Sequence, residues 1–349
     1  MHKIFDKENR LKRKYALFFA TYQVLRGYRE IRKLHRFYGE DTHIFFMRGA
    51  TGDAYIQMMY LDEYIKQKKV GKYIIIGDVK GIEGLKRVFC FPHYIKYATS
   101  CADCIEKANL FFDGAGLNIR MFFNWSYGMN VFNRCRIRMT EKFNFLDTYK
   151  YFALELEGEI NCRKPVFVEN GEAAKFRWEK QGIVEGKTVI IAPDANSVTH
   201  LPIWFWNVII KELQKRDYIV FVNCNYRNGY RTGDIFFSYE ESVPLLNYAG
   251  YFLGIRSGLC DIVSTSKCKK VILYPEKQAE INYSEHRSEK EFSSLEVMEM
   301  VSDHEEKTRL VEISTSLLRN ITDKELMVDG HNAYFDELQS LRKSILSYF

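Results

Sequence analysis

The feature that most constrains this chain is an alternation that runs, stops and starts again. His43-Ile-Phe-Phe-Met47 is a short apolar run suited to a buried parallel strand. Arg48-Gly-Ala-Thr-Gly-Asp53 is a tight turn, and Ala54 to Lys66 follows with helical spacing at Ile56, Met59, Tyr60 and Tyr64. Tyr73-Ile-Ile-Ile-Gly77 reads as a strand, Gly81 to Phe89 as a helix, Tyr94 to Tyr97 as a strand and Ala102 to Phe111 as a helix. Parallel neighbours need a crossover that carries the chain back over the sheet, so this pattern builds an open parallel sheet. Residues 112–165 are aromatic and basic and show no such period. After a helix at Glu172 to Lys180 the alternation resumes. Strands are expected at Thr188–Ala192, Tyr218–Asn223, Phe252–Ile255 and Lys270–Tyr274, and helices at Trp204–Arg216, Glu240–Tyr248 and Gly258–Ser266. Residues 276–330 are polar and carry no clear pattern, and Phe335 to Tyr348 reads as a closing helix.

At 349 residues the chain is long enough for two cores. The expected architecture is α/β, with two doubly wound Rossmann-like domains facing a cleft. Residues 1–40 form a basic N-terminal helix, 41–183 the first domain, 184–330 the second and 331–349 a C-terminal helix. No stretch approaches the ~20 apolar residues needed to span a bilayer, and no signal-peptide pattern opens the chain. The eight cysteines are scattered, which fits free thiols in a reducing cytoplasm. Cys101 and Cys104 form a CxxC pair, but no second ligand pair at zinc spacing accompanies them, so helix packing is their expected role.

Charge is concentrated at one end. Residues 1–38 hold eleven Lys and Arg against three acids, a local charge of +8 in a chain of net +6, leaving −2 for the rest. A general nucleic-acid-binding surface is therefore not expected. Residues 8–38 read as one long helix, with Leu11, Tyr15, Phe18, Tyr22 and Leu25 drawing an apolar stripe. Two uses of the stripe are open: packing against the first domain, or meeting a partner or an anionic membrane surface.

Three segments are suited to chemistry. In Arg48–Asp53 the glycines Gly49 and Gly52 let the backbone turn and let another molecule come close, and the helix start that follows favours an anion. Asp53, in the first helical turn, is either a cap or a carboxylate facing the cleft and able to accept a proton. Neither a Walker A loop nor a GxGxxG pattern is present. In Gly254-Ile-Arg-Ser-Gly-Leu-Cys-Asp261 a strand runs directly into a helix, so Ser257, Gly258 and the Arg256 cation make either a phosphate cradle or an ordinary capped turn. The third is the loop Pro193 to Pro202, longer than the usual 2–6 residues, whose Asn196, Ser197, Thr199 and His200 can reach a ligand. A lone histidine is more often structural.

In order and spacing, these segments resemble the GT-B heptosyltransferase-like family across residues 43–275. That family has a Gly-x-x-Gly-Asp turn after its first strand, to which Arg48-Gly-Ala-Thr-Gly-Asp53 is similar. Its second half has a Pro-Gly-Ala-Ser-type loop followed by Lys-x-Trp-Pro, which Pro193-Asp-Ala-Asn-Ser197 and Thr199-His-Leu-Pro202 resemble. Its later Asp-Ser/Thr-Gly-x-x-His turn is similar to Arg256-Ser-Gly-Leu-Cys-Asp261. There are departures: Thr199 stands where the family has its donor-loop lysine, Arg256 where it has an acid and Asp261 where it has a histidine. The resemblance implies a glycosyltransferase moving a sugar from a nucleotide-sugar donor to a glycan or lipid-linked acceptor in cell-surface polysaccharide synthesis. It also implies a C-terminal helix that crosses back to the first domain.

On that reading Asp53 is the general base, while Arg256, Ser257, Gly258 and His200 take the charge of the departing diphosphate. The nucleotide-sugar is a substrate, and no resident cofactor or metal is implied, since no Asp-x-Asp signature is present. The expected location is cytoplasmic, peripheral to the inner membrane face. Two other readings stand beside it. GT-B fucosyltransferases share the layout but carry a His-x-Arg-Arg-like motif, of which only Gly254-Ile-Arg256 remains here. A non-catalytic nucleotide- or sugar-binding protein would use the Asp53 turn as a cap alone.

Overall fold

The computed structural model describes residues 2–48, 51–79, 81–91, 94–112, 119–122, 148–168, 171–195, 201–224, 229–275, 308–313 and 331–349. The first unit comprises α1 (His2–Tyr38), β1 (His43–Met47), α2 (Thr51–Gln67), β2 (Tyr73–Gly77), α3 (Ile82–Val88), β3 (Tyr94–Lys96), α4 (Thr99–Phe111), β4 (Ile119–Phe122) and a π-helical turn at Thr148–Ala153. The second comprises α5 (Glu172–Lys180), β5 (Thr188–Ala192), α6 (Ile203–Gln214), β6 (Ile219–Val222), β7 (Gly233–Asp234), α7 (Tyr239–Ala249), β8 (Gly250–Ile255), α8 (Gly258–Ile262), β9 (Lys269–Pro275), β10 (Thr308–Ile313) and α9 (His331–Leu346).

Among the described residues each unit has one sheet, and every strand pair is parallel. The first sheet runs β3-β2-β1-β4 and the second β10-β9-β8-β5-β6-β7. Counted within each unit these are the doubly wound orders 3-2-1-4 and 3-2-1-4-5-6, with the order reversing between β1 and β4 and between β5 and β8. Three strands escape the sequence pattern. β4 lies in the stretch without period, β7 is two residues long, and β10 falls in the polar region. β4 and β7 are too short to show a period, and the apolar residues of β10 are interrupted by Arg309 and Glu312.

Burial explains the central strands. Ile44, Phe45, Phe46 and Met47 are all inaccessible, because β1 has a strand on each side and helices on both faces. On one face Ile44, Phe46, Ile74 and Ile76 meet Ile31 and Leu34 of α1 and Ala102, Ile105 and Ala108 of α4. Gly27 permits the helix contact, since a Cβ there would stand 1.9 Å from the Cys104 carbonyl oxygen. The CxxC pair thus lies on α4, with Cys104 buried in that packing. On the other face Phe45, Met47 and Ile75 pack with Tyr55, Met58, Met59, Leu85 and Phe89. Of the α1 stripe, Phe18, Tyr22 and Leu25 are exposed and do not pack on the first unit, and the side chains of Leu11 and Tyr15 lie outside the described residues. The helix docks instead through Gly27, Ile31, Leu34 and His35, and ends at Gly39 in the left-handed region.

In the second unit Val189, Ile191, Leu253 and Ile255 face Phe205, Trp206, Ile209 and Leu213 of α6. Leu338, Leu341, Ile345 and Leu346 of α9 join the same cluster, and Arg216 donates to the Leu346 carbonyl at 2.5 Å. The C-terminal helix therefore closes the second unit and does not cross to the first, because its apolar face matches the one α6 leaves open. The boundary expected at 183/184 follows α5, whose Trp178 already packs with Ile190, Phe252 and Tyr248 of the second unit.

Candidate functional site

In doubly wound sheets ligands bind outside the carboxyl ends of the strands, where the order reverses. Here those places are the turn after β1 and the turns after β5 and β8. Ala192 pairs with Gly254, so the last two turns leave the second sheet side by side. The two units meet at these ends: the start of α2 lies against the start of α8.

The meeting point is made of glycine. A Cβ on Gly258 would stand 2.5 Å from the Gly52 nitrogen and 3.2 Å from its Cα. A Cβ on Gly52 would stand 2.3 Å from Asp261 Oδ2 and 3.1 Å from the Gly258 Cα. Neither position tolerates a side chain without separating the units. The space beside Gly258, expected to admit a phosphate, is taken on this side by the backbone of Gly52. Ile262, one residue past Asp261, packs into the first unit's core with Tyr55. A second contact forms nearby. The Tyr239 ring of α7 lies on Gly81 and Gly84 of α3, and Arg87 pairs with Glu240.

Asp53 is half-buried on the first turn of α2, and Tyr149 Oη donates to its Oδ1 at 2.7 Å. Tyr149 is inaccessible, and burial together with the Asp53 charge pushes its phenol well above the usual range, so it remains a donor. Arg256 leaves β8 and donates through Nη1 to the Ser257 carbonyl at 2.8 Å and to Asp261 Oδ2 at 2.9 Å. The Arg256 side chain is 22% exposed and that of Asp261 is 0% exposed. Asp261 Oδ1 is buried without a hydrogen-bond partner. Burial raises the Asp261 carboxyl to about 6; Arg256 opposes the rise and the Asp53 charge adds to it. The Arg256 guanidinium is thus paired with Asp261 of its own unit and feels the charge of Asp53 from the other. Two positions at which the sequence differs from the motif it resembles are therefore partners, Arg256 with Asp261.

Ser257 sits at the N-cap of α8, with its Oγ 3.8 Å from Cys260 Sγ. That helix is shorter than expected, spanning five residues before a 3-10 turn at Val263–Thr265. Of the expected site residues, Gly52, Asp53, Arg256, Ser257 and Gly258 come together. Gly49, Asn196, Ser197, Thr199 and His200 lie outside the described residues. Arg48 is committed elsewhere: it pairs with Asp103 at 2.7 Å, with Asp78 at 3.2 Å and with Glu106, tying the end of β1 to α4. Tyr149 was not legible, because it lies in a segment without period. Asp261 was legible only as a departure from a motif; its pairing with Arg256 requires the helical turn that brings them together.

A scan against protein-family models and a search of curated proteins both return no match. Among solved structures, the chain is similar to a glycosyl transferase family 9 protein from Veillonella parvula, at 9% identity and a TM-score of 0.49, covering 88% of this chain and 96% of that one. It is similar to the ADP-heptose LPS heptosyltransferase II of E. coli, at 12% identity and a TM-score of 0.48, covering 87% and 99%. It is also similar to the E. coli heptosyltransferase WaaC with ADP, at 8% identity and a TM-score of 0.42, covering 88% and 100%. Each is a likeness in the course of the chain.

Proposed function

We propose that this chain is a glycosyltransferase that takes a nucleotide-sugar donor on its second unit and a glycan or lipid-linked acceptor on its first. The observation that carries the reading is the meeting of two sheet-reversal points, with Asp53 on one side and Arg256 at a helix start on the other. Transfer to a hydroxyl needs a base for the incoming oxygen and a positive site for the departing diphosphate. Asp53 is the base, and Tyr149 orients it by holding one oxygen at 2.7 Å. Arg256 and the loop 193–200 receive the diphosphate. Asp261 is the counter-ion that holds Arg256 until the donor arrives. The motif order noted in the sequence supports the same assignment, and the site is proposed to work in the cytoplasm.

One observation favours a second reading. The Gly52–Gly258 contact closes the junction between the two units where an acceptor would have to reach the donor, as it would in a nucleotide-binding protein without transfer activity. Two measurements separate the readings. Calorimetry against nucleoside diphosphates is expected to detect a ligand, and a panel without one overturns both. With that donor class and water or a sugar as acceptor, Asp53→Asn should lower turnover by ~10²–10⁴-fold while nucleotide affinity stays unchanged. Turnover equal to the parent in that variant removes Asp53 as the base, and absence of any turnover in the parent leaves the binding protein.

A further inference from the structure

Helix α1 is far longer than its packing requires. It runs for 37 residues, about 55 Å at ~1.5 Å per residue. Its buried positions within the described side chains begin at Gly27. Before that point it presents large apolar side chains to solvent: Phe18 is 74% exposed, Phe19 59%, Tyr22 53% and Leu25 48%. Phe18, Tyr22 and Leu25 share one stripe, and Arg29 continues it one turn on. Phe19, Arg26 and Lys33 recur every seven residues on the adjoining stripe. The helix surface therefore grades from aromatic at 18–25 to cationic at 26–33.

A groove of about 250 Å³ marks the transition, lined by Tyr22, Leu25, Arg26, Arg29, Glu30 and Lys33. Lys33 pairs with Glu30 at 2.7 Å, while among the described residues no carboxylate pairs with Arg26 or Arg29. Residues 1–38 carry +8 and the remainder of the chain −2. Among the described residues no helix is long and apolar enough to cross a membrane.

We propose that this face of α1 docks on an anionic lipid surface, with Phe18, Phe19, Tyr22 and Leu25 entering the headgroup boundary and Arg26, Arg29 and Lys33 engaging lipid phosphates. Aromatic and aliphatic side chains beside a row of cations are the pattern of a helix lying in the plane of the interface. A second copy of the chain fits poorly, because it would bring two segments of +8 together. A nucleic acid would use the cations but gain little from Leu25, and the remainder of the chain carries a net charge of −2. The docking does not depend on the transferase reading and holds whether or not the chain transfers a sugar.

The test is co-sedimentation of the full chain with phosphatidylcholine vesicles and with vesicles containing phosphatidylglycerol, at low and high salt. Partition is expected only on the anionic vesicles and should weaken with salt, because exposed charges are screened beyond about 8 Å at physiological ionic strength. Each cation removed should lower partition about fivefold, so Arg26→Gln/Arg29→Gln/Lys33→Gln should lower it on the order of 100-fold. Phe18→Ser/Tyr22→Ser, changed at exposed positions, should also lower partition while the melting temperature stays at the parental value. Equal recovery on both vesicles, or none on either, overturns the proposal. Binding unaffected by Phe18→Ser/Tyr22→Ser overturns it in favour of a purely polyanionic partner. Loss of exposed aromatic surface through dimerisation in solution, with no vesicle binding, overturns it in favour of a second copy.

Discussion

Replacing Asp261 by Asn tests the junction directly. The carboxyl is 0% exposed and titrates near 6, against an ordinary value of 3.8. The folded protein therefore holds this proton more tightly than the unfolded chain does. Stability from this group is full below about pH 4 and is lost as pH rises to about 6 and beyond, because ionising the buried carboxyl is then required. A rise of about two units corresponds to ~3 kcal/mol in total. Between roughly pH 4.5 and pH 7.5 the parent should lose about 2 kcal/mol from Asp261. Asn keeps the shape and still accepts from Arg256 through its amide oxygen, but it cannot ionise. Groups away from the junction titrate equally in both proteins, so the difference between parent and Asp261→Asn isolates the junction. Urea unfolding at both pH values should show the variant gaining about 2 kcal/mol on the parent as pH rises. Parallel profiles would refute the assignment of a buried, strained carboxyl at the junction. A second readout concerns function. If Asp261 competes with a diphosphate for Arg256, the variant should bind nucleoside diphosphates more tightly by calorimetry. Weaker binding would mean that Asp261 orients the guanidinium for the ligand.

Further outcomes follow from the same contacts. Gly258→Ala puts a methyl 2.5 Å from the Gly52 nitrogen, a backbone atom that cannot swing away, so thermal unfolding should show a loss of about 1–3 kcal/mol. Tyr149→Phe removes the hydroxyl that donates to Asp53 and should cost roughly 1–3 kcal/mol with no change in nucleotide affinity. Ile345→Ala opens a cavity between α9 and the second sheet and should cost about 2–5 kcal/mol, measured by denaturant unfolding. Arg87→Ala breaks an ion pair whose arginine is 59% exposed and should change stability by less than about 1 kcal/mol.

The central strands and the helices between them were determined locally. Phe45, Ile75, Ile190 and Phe252 stand in short apolar runs that only a doubly covered parallel sheet can bury, so their period and length sufficed. The same holds for the turns after β1 and β8, where glycines stand at the junction of strand and helix. Edge strands such as Gly233–Asp234 carry no such signal, since two residues make no period. The use of the α1 stripe was also beyond the sequence. An apolar stripe records only that a helix has an unlike face, and the docking through Gly27, Ile31 and Leu34 depends on the shape of α4. The site divides in the same way. Asp53 and Arg256–Ser257–Gly258 were visible as types at strand ends, each with a structural and a chemical use open. Only the tertiary structure put Gly52 against Gly258, handed Arg256 to Asp261 and aimed Tyr149 at Asp53. Those pairs are separated by 206, 5 and 96 positions; the first joins the two units, and the third joins α2 to a segment of the same unit that shows no period. A chain's local pattern encodes which surfaces are apolar and which turns are tight; which of those surfaces face each other is settled by packing all of them at once.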